Sequence, residues 1–180
     1  MMRVKLVILD RDGVINHDSD HYIRSADQWT AINGSLQAIR KLHDHGIAVA
    51  IATNQSGIAR GFYSYAELTR MHHKLFDLLD DDEAVGYIAI CPHLPEDNCQ
   101  CRKPEIGMLR EIADKLCIVL DRDVFFIGDS FKDIQAAERA GVTPVLVKTG
   151  KGQNTIKNYP ELMKTTMIFD DLLNFVDWLL

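Results

Sequence analysis

Four polar clusters along this chain could do chemistry together. They are Asp10-Arg11-Asp12-Gly13, Thr53-Asn54-Gln55-Ser56, Arg102-Lys103-Pro104, and Gly128-Asp129-Ser130 with Asp133. Side by side, Asp10, Asp12 and Asp129 would repel one another unless a cation offset their charge, and hard carboxylate oxygens suit Mg²⁺. Thr53 and Lys103 add a hydroxyl and an ammonium, which are groups that hold a phosphoryl anion. One carboxylate could then attack phosphorus while a second moves protons.

The elements that must position these clusters follow from the apolar pattern. Buried-strand patterns occupy residues 4–9, 47–52, 87–91, 124–128, 144–147 and 167–169, and helical patterns occupy 34–45, 65–82, 106–116, 133–140 and 172–180. This alternation predicts an α/β fold, a Rossmann-like parallel sheet with helices on both faces, in a single domain over residues 1–180. Ligands of such sheets bind beyond the carboxyl ends of the strands, so the polar clusters should meet there.

A further cluster of metal-ligand types precedes the basic pair. Three of the four cysteines fall within eleven residues, and with a histidine they form the set Cys91, His93, Cys99 and Cys101. Three thiolates and an imidazole complete a tetrahedral Zn²⁺ site without an open position, which indicates a structural metal. The alternative is a group of reduced, partly buried thiols. Cys117 stands apart and is predicted to be a core thiol, and residues 148–158 are predicted to form a surface loop.

Composition and charge limit the partners and the cellular location that we expect for this protein. A net charge of −6 gives no electrostatic support for a nucleic-acid partner. No apolar run approaches the roughly 20 residues that span a bilayer, and the first residues lack the features of a signal peptide. We therefore expect no membrane partner and a cytoplasmic, reducing location. In the absence of an apolar patch suited to an obligate partner, we expect a monomer.

Taken in order, the stretches DRDGVIN, TNQSGIARG, CRKP and GDSFKD resemble the four motifs of the haloacid dehalogenase superfamily of phosphatases. The resemblance covers about residues 4–150. It implies that Asp10 is the nucleophile, which becomes an aspartyl phosphate, and that Asp12 is the acid/base. It further implies that Thr53 and Lys103 bind the phosphoryl group, and that Asp133 is a supporting acid. Mg²⁺ would be held by Asp10, by the backbone carbonyl of Asp12 and by Asp129.

Members of this superfamily often enclose their substrate with a cap domain. Thr53 follows Asp10 by 43 positions and Lys103 follows Thr53 by 50, and the predicted elements use most of both intervals. We therefore predict a capless fold with a zinc-bound loop. Substrate selection would then depend on three loops, at residues 16–29, 55–63 and 91–102.

The arrangement Cys-x-His…Cys-x-Cys before Arg-Lys-Pro resembles two capless families. One hydrolyses the 7-phosphate of D-glycero-D-manno-heptose 1,7-bisphosphate in lipopolysaccharide-core synthesis, and the other hydrolyses histidinol phosphate. TNQSGIARG, GDSFKDIQAA and VLVKTGKG favour the heptose family, with a small phosphorylated sugar as substrate. That resemblance implies that eight residues contact the substrate, namely Asp18, Tyr22, Thr53, Asn54, Gln55, Ser56, Arg102 and Lys103. Arg60 is a further candidate.

Three points stay open. Some heptose phosphatases carry a lysine directly after the motif-four aspartate, where this chain has Ser130, and Lys132 is the nearest cation. The preferred anomer is also open. A non-catalytic relative and a phosphotransferase remain as other functional classes, although every motif residue that chemistry needs is present.

Overall fold

A six-stranded parallel sheet lies at the centre of the computed structural model, which describes residues 4–180 apart from the side chain of Met163. In chain order the strands are β1 (Leu6–Leu9), β2 (Ala48–Asn54), β3 (Tyr87–Cys91), β4 (Val124–Gly128), β5 (Thr143–Val147) and β6 (Met167–Phe169). Across the sheet the order is β3-β2-β1-β4-β5-β6, and every neighbouring pair is parallel.

Helices cover both faces of this sheet. They are α1 (Ser35–Asp44), α2 (Tyr65–Leu79), α3 (Gly107–Leu116), α4 (Phe131–Ala140), α5 (Gly152–Asn158) and α6 (Leu172–Leu179), with short 3₁₀ turns at Pro95–Asp97 and Pro160–Lys164. Helices α1, α2 and α6 pack on the face that carries Val7 and Leu9 of β1, and α3 and α4 pack on the face of Leu6 and Ile8. The alternation along β1 therefore buries both faces, as a parallel sheet requires. The predicted fold class is confirmed.

The connections leave no cap domain within residues 4–180. Between β1 and α1 the chain forms an irregular loop, and between β2 and β3 it forms only α2 and its flanking turns. Among the described residues, no helix has the length and apolar character that a membrane crossing requires.

Several boundaries differ from those predicted. Strand β2 continues to Asn54, because Thr53 and Asn54 still pair with Ile90 and Cys91 of β3. Helix α4 begins at Phe131, since the side chain of Asp133 accepts hydrogen bonds from the backbone N–H and hydroxyl of Ser130 and so closes the first turn. Helix α2 stops at Leu79, where Asp80 adopts a φ of 53°.

Two other expectations were wrong. Residues 148–158 are not simply a surface loop, because they include α5, whose Thr155 hydroxyl is buried against the backbone of Asp129. Cys117 is exposed and not a core thiol. It follows the last residue of α3 with a φ of 54°, and its Sγ lies 3.8 Å from the carbonyl oxygen of Asp114.

Candidate active site

The polar clusters converge at the point where the strand order reverses, between β1 and β4. Asp10 follows β1 directly, and its backbone N–H donates to the carbonyl of Ile127 in β4, 2.9 Å away. Asp129 follows β4 directly. In doubly wound sheets, adjacent strands whose crossovers leave in opposite directions open a crevice at their carboxyl ends. The sequence thus places one carboxylate on each side of that crevice.

A buried ammonium group lies between the carboxylates. Lys103 is 2% exposed, and its Nζ is 2.9 Å from Oδ1 of Asp10 and 2.7 Å from Oδ1 of Asp133. It also donates to the carbonyl oxygen of Ala52 at 2.9 Å. Burial alone would lower the pKa of Lys103, but the charges of Asp10 and Asp133 outweigh it and raise the pKa. Lys103 is therefore a fixed cation beside the first carboxylate.

The backbone of Lys103 is held just as firmly. The side-chain amide of Asn54 donates to the carbonyl of Lys103 at 3.3 Å, and its oxygen accepts from the N–H of Lys103 at 3.1 Å. Asn54 thus positions the lysine from the end of β2, in addition to lining the crevice.

Three carboxylates form a group that could hold a metal ion. Asp10, Asp129 and Asp133 each offer an oxygen, and these atoms lie within 4.8 Å of one another. Burial is the main reason that the pKa of Asp10 is raised to about 7 and that of Asp129 to about 8, and repulsion from Asp133 adds to both. Crowding of this kind disfavours the charged carboxylates unless a cation is bound among them.

The hydrogen bonds show which of these oxygens are available. Oδ1 of Asp10 accepts from the N–H of Arg11 as well as from Lys103, and Oδ2 of Asp129 accepts from the N–H of Lys151. Both oxygens of Asp133 are occupied, by Lys103 and by Ser130. Among the described residues, the second oxygens of Asp10 and Asp129 have no hydrogen-bond donor. These two oxygens fit a divalent cation, whereas Asp133 fits a role as partner of Lys103.

The second aspartate of the first cluster is bound to a buried arginine. Nη2 of Arg11 donates to both oxygens of Asp12, at 2.8 and 2.9 Å, and the Arg11 side chain is wholly buried. Asn16 and Gln55 donate to the same carboxylate, each at 2.8 Å. Burial alone would raise the pKa of Asp12, but Arg11, Asn16 and Gln55 outweigh it and lower the pKa. The resting form is therefore the carboxylate, which is the form that can accept a proton.

A cavity of about 810 Å³ opens above these groups. Seven of the eight side chains predicted to contact substrate line it, namely Asp18, Tyr22, Asn54, Gln55, Ser56, Arg102 and Lys103. The eighth, Thr53, is fully buried below the cavity, where its hydroxyl accepts from the Gln55 amide at 2.8 Å. Arg60 is exposed and does not line the cavity. Ser130 and Lys132 do line it, so the start of α4 forms part of the wall.

The cysteine cluster lies where β3 ends. Sγ of Cys91 is 3.6 Å from Sγ of Cys99, Cys101 is 3.4 Å from Cys99, and Nδ1 of His93 is 3.2 Å from Cys101 and 3.7 Å from Cys91. Ligands bound 2.3 Å from a tetrahedral centre are about 3.7 Å apart, so this set fits one zinc ion with little movement. No disulfide links these thiols.

This cluster is linked directly to the basic pair. The guanidinium of Arg102 donates to the carbonyl of His93 at 3.2 Å, and the N–H of Gly107, at the start of α3, donates to the carbonyl of Gln100 at 2.9 Å. The loop therefore fixes the segment that carries Arg102 and Lys103, although few apolar side chains support it.

Some residues of the site were not predicted from the sequence. Arg11 lies between the two aspartates, and its presence there was the only signal that a buried cation would bind Asp12. Tyr63 donates its hydroxyl to the Gln55 carbonyl at 2.5 Å, and no spacing pattern indicates that contact. Lys151 approaches from the segment after β5, where its ammonium is 3.0 Å from Oδ2 of Asp18.

Comparison with known proteins agrees with this geometry. A family model described as HAD-hydrolase-like matches residues 100–175. A D-glycero-beta-D-manno-heptose-1,7-bisphosphate 7-phosphatase from Pseudomonas putida is 54% identical over 171 residues, which is 94% of this chain and 95% of the relative. The protein of the same name from Escherichia coli K12 is 40% identical over 157 residues, which is 82% of this chain and 81% of the relative.

A solved structure gives the same result. The crystal structure of D,D-heptose 1,7-bisphosphate phosphatase from B. bronchiseptica, complexed with magnesium and phosphate, matches with a TM-score of 0.92 and 45% identity over 97% of each chain. Identity of this extent, along nearly the whole chain and with the same fold, establishes common family membership. The chain belongs to the D-glycero-beta-D-manno-heptose-1,7-bisphosphate 7-phosphatase family of HAD-like hydrolases.

Proposed function

We propose that this enzyme hydrolyses the 7-phosphate of D-glycero-β-D-manno-heptose 1,7-bisphosphate and releases the heptose 1-phosphate. The observation that carries the proposal is 54% identity, over nearly the full length, to a relative named for that reaction. The β anomer is preferred because the relatives described above carry it in their names. Those relatives are heptose phosphatases, so the histidinol phosphate alternative has no support.

The reaction follows from the positions of the side chains. An oxygen of Asp10 attacks the phosphorus atom of the 7-phosphate, and the bond between that phosphorus and the sugar oxygen breaks. Lys103 lies beside Asp10 and offsets negative charge on the phosphoryl group in the transition state. Because its backbone is clamped by Asn54 and its ammonium by Asp133, this cation needs little reorganisation during the step.

Asp12 acts as general acid in the first half-reaction and as general base in the second. The leaving sugar oxygen takes a proton from Asp12, and the resulting carboxylate then accepts a proton from the water that attacks the phosphoaspartate. The second step restores Asp10 and releases inorganic phosphate. Arg11, Asn16 and Gln55 favour the carboxylate form in the free enzyme, which suits the second step. The charge of an incoming phosphate opposes that effect and favours the protonated form that the first step needs.

Mg²⁺ fits the free oxygens of Asp10 and Asp129, with the backbone carbonyl of Asp12 as a third protein ligand. When bound, it would offset the repulsion between the phosphate and the carboxylates and help to orient the phosphoryl group. The raised pKa values of Asp10 and Asp129 support a cation at this position, and the magnesium in the B. bronchiseptica structure supports its identity.

Zn²⁺ is the metal that best fits Cys91, His93, Cys99 and Cys101. The set offers four ligands and no open position, so the ion would brace the loop and not touch substrate. Replacing Cys99 by serine should reduce zinc from one atom per chain, measured by mass spectrometry of the metal, and lower the melting temperature. Binding of Mn²⁺ at Asp10 and Asp129 should persist, and normal zinc content in Cys99→Ser would contradict the assignment.

Arg102 and Lys132 line the wall of the cavity next to Lys103, and they are the cations available to the second phosphate. Among residues 4–180, no carboxylate forms an ion pair with either of them. A bisphosphate can therefore place one phosphate at Asp10 and the other against these two side chains.

We further propose that the enzyme acts in the cytoplasm as a monomer and supplies precursors of heptose-containing glycans such as the lipopolysaccharide core.

The direct test is phosphate release from four substrates compared side by side. They are the two anomers of heptose 1,7-bisphosphate, heptose 7-phosphate and histidinol phosphate. We expect kcat/KM to be highest for the β-bisphosphate, with the 1-phosphate retained in the product by ³¹P NMR. A higher kcat/KM for histidinol phosphate would overturn the substrate assignment, and release of the 1-phosphate would overturn its regiochemistry.

A further inference from the structure

The segment Thr149-Gly150-Lys151-Gly152, between β5 and α5, makes unusually close contact with the proposed cation site. The backbone N–H of Lys151 donates to Oδ2 of Asp129 at 2.8 Å. The hydroxyl of Thr149 donates to the carbonyl of Gly13 at 2.6 Å, which ties this segment to the loop that follows β1. Residues 149–152 therefore connect Asp129, which follows β4, to Gly13, which lies in the loop after β1.

The packing around Asp129 leaves no space for a side chain at Gly13, Gly150 or Gly152. A Cβ atom on Gly150 would lie 2.1 Å from Oδ2 of Asp129 and 2.5 Å from the Cα of Gly13. A Cβ on Gly13 would lie 2.0 Å from the same carboxylate oxygen, and one on Gly152 would lie 1.8 Å from the carbonyl of Val147. Contacts below 3.0 Å against backbone or a buried carboxylate cannot be relieved cheaply. One oxygen of Asp129 is thus enclosed by the backbone of two segments.

This enclosure determines what the other oxygen of Asp129 can do. Oδ2 of Asp129 accepts from the Lys151 N–H, which leaves Oδ1 without a donor among residues 4–180, in a group where one oxygen each of Asp10, Asp129 and Asp133 lies within 4.8 Å of the others. A carboxylate held in one orientation binds a small, geometrically demanding cation better than one that rotates. The side chain of Lys151 adds a second link, because its ammonium is 3.0 Å from Asp18 on the loop that lines the substrate cavity.

We propose that residues 149–152 are a positioning element of the active site. The Lys151 N–H and the absence of a side chain at Gly150 orient Asp129 for the divalent cation, and the Lys151 ammonium holds the Asp18 loop against the cavity. The proposal rests on the cation site of the proposed function but not on the identity of the sugar. In an enzyme without a cap domain, this segment links the cation site to the loop that meets substrate.

The first experiment separates this role from ordinary backbone strain. Gly150→Ala is compared with Gly141→Ala, because both glycines have a positive φ, of 54° and 74°, but nothing lies within 4 Å of a Cβ at Gly141. Free Mn²⁺, which takes the same oxygen sites as Mg²⁺, is counted by electron paramagnetic resonance without substrate. We expect Gly150→Ala to weaken Mn²⁺ binding at least tenfold and Gly141→Ala to change it less than twofold.

Equal Mn²⁺ affinity in Gly150→Ala and wild type would overturn the proposal, and so would equal losses in the two variants. If Gly150→Ala does not fold, Thr149→Val serves in its place, since it removes only the hydroxyl that holds Gly13. Weaker Mn²⁺ binding by several-fold is then expected, and unchanged binding overturns the proposal.

The second experiment isolates the side chain of Lys151. Lys151→Met keeps the backbone N–H, so Mn²⁺ binding should stay within twofold of wild type. Because the ion pair with Asp18 is partly exposed, KM for the bisphosphate should rise about two- to fivefold. Asp18→Asn should raise KM at least as much, and adding Lys151→Met to it should add little. Fully additive effects of the two substitutions on KM would overturn the proposed link between Lys151 and Asp18. If the wild-type enzyme does not hydrolyse the bisphosphate at all, the proposed substrate is wrong, but the Mn²⁺ binding results still test the positioning role.

Discussion

Replacing Lys103 by methionine tests how the buried cation stabilises the site. The ammonium is 2.9 Å from Asp10 and 2.7 Å from Asp133, whose side chains are 14% and 1% exposed. Methionine has a similar shape but leaves both carboxylates without their cation. Breaking a buried pair by removing one partner costs about 3–5 kcal/mol. For a chain of this size, the melting temperature falls by about 2–4 °C per kcal/mol, so we expect a loss of about 6–20 °C.

The free energy of unfolding is measured by urea denaturation and the melting temperature by thermal unfolding, both at pH 7 in EDTA so that bound Mg²⁺ does not contribute. The pKa of Lys103 is raised above the ordinary value of 10.5, and the stabilisation by its charge is therefore fully present at pH 7 and is lost only as the pH rises through that higher pKa. Lys132→Met is the control, because Lys132 is an exposed lysine on α4 with no ion pair among the described residues. It should change the free energy of unfolding by less than about 0.5 kcal/mol.

A double variant isolates the effect of the carboxylates that lose their cation. Adding Asp133→Asn to Lys103→Met removes one of the two carboxylates left without a cation and keeps an oxygen that can accept from Ser130. The double variant should recover about half of the lost stability or more, because an isosteric neutral group replaces the buried charge. A Lys103→Met variant as stable as wild type, or a double variant less stable than the single one, would show that the buried ammonium does not stabilise these carboxylates.

Three further predictions concern other residues around the site. Arg11→Met removes the bidentate contact that positions Asp12, and kcat should fall about 10²-fold or more with little change in KM, measured by steady-state phosphate release. Arg102→Ala should raise KM for the bisphosphate about tenfold but that for heptose 7-phosphate much less, because the latter lacks the second phosphate. Burial lowers the pKa of His72 to about 4 from an ordinary value of 6.5, so this imidazole favours unfolding as the pH falls below 6.5. From pH 7 to 5, His72→Leu should therefore lose about 2 kcal/mol less stability than wild type in urea unfolding.

Each of these has an outcome that would count against it. A kcat for Arg11→Met within threefold of wild type would mean that Asn16 and Gln55 suffice to hold Asp12. Equal increases in KM for both substrates in Arg102→Ala would place the second phosphate elsewhere. A parallel loss of stability in wild type and His72→Leu would show that His72 is not buried as a neutral group.

The sequence was sufficient to predict the sheet and the carboxylates at its edge. Apolar runs bounded by polar residues locate the strands within one or two residues, and β3, β4 and β6 agree fully with the prediction. Asp10 and Asp129 could be paired in advance, because parallel strands bring their carboxyl ends to one edge. What the pattern did not define was the end of β2, where Thr53 and Asn54 are polar but still pair with β3.

The contacts made by Lys151 and Arg11 could not be predicted in the same way. The stretch KTGKG has the composition of an exposed loop, yet its glycines allow the backbone to approach Asp129 more closely than any side chain would permit. Arg11 is an ordinary charged residue in sequence, and its complete burial depends on α2 covering it, with Met71 3.8 Å away. Both contacts depend on segments that are distant in sequence, and no local spacing reports them.

The role of Asp10 as nucleophile is the central claim, and trapping the phosphoenzyme tests it most directly. The enzyme is mixed with β-heptose bisphosphate labelled with ³²P at the 7-phosphate, quenched in acid within milliseconds, and digested for peptide mapping. We predict label on the peptide that contains Asp10, no label in Asp10→Asn, and reduction of the labelled residue by borohydride to homoserine. Release of phosphate at the wild-type rate by Asp10→Asn, or label on a different residue, would contradict the account.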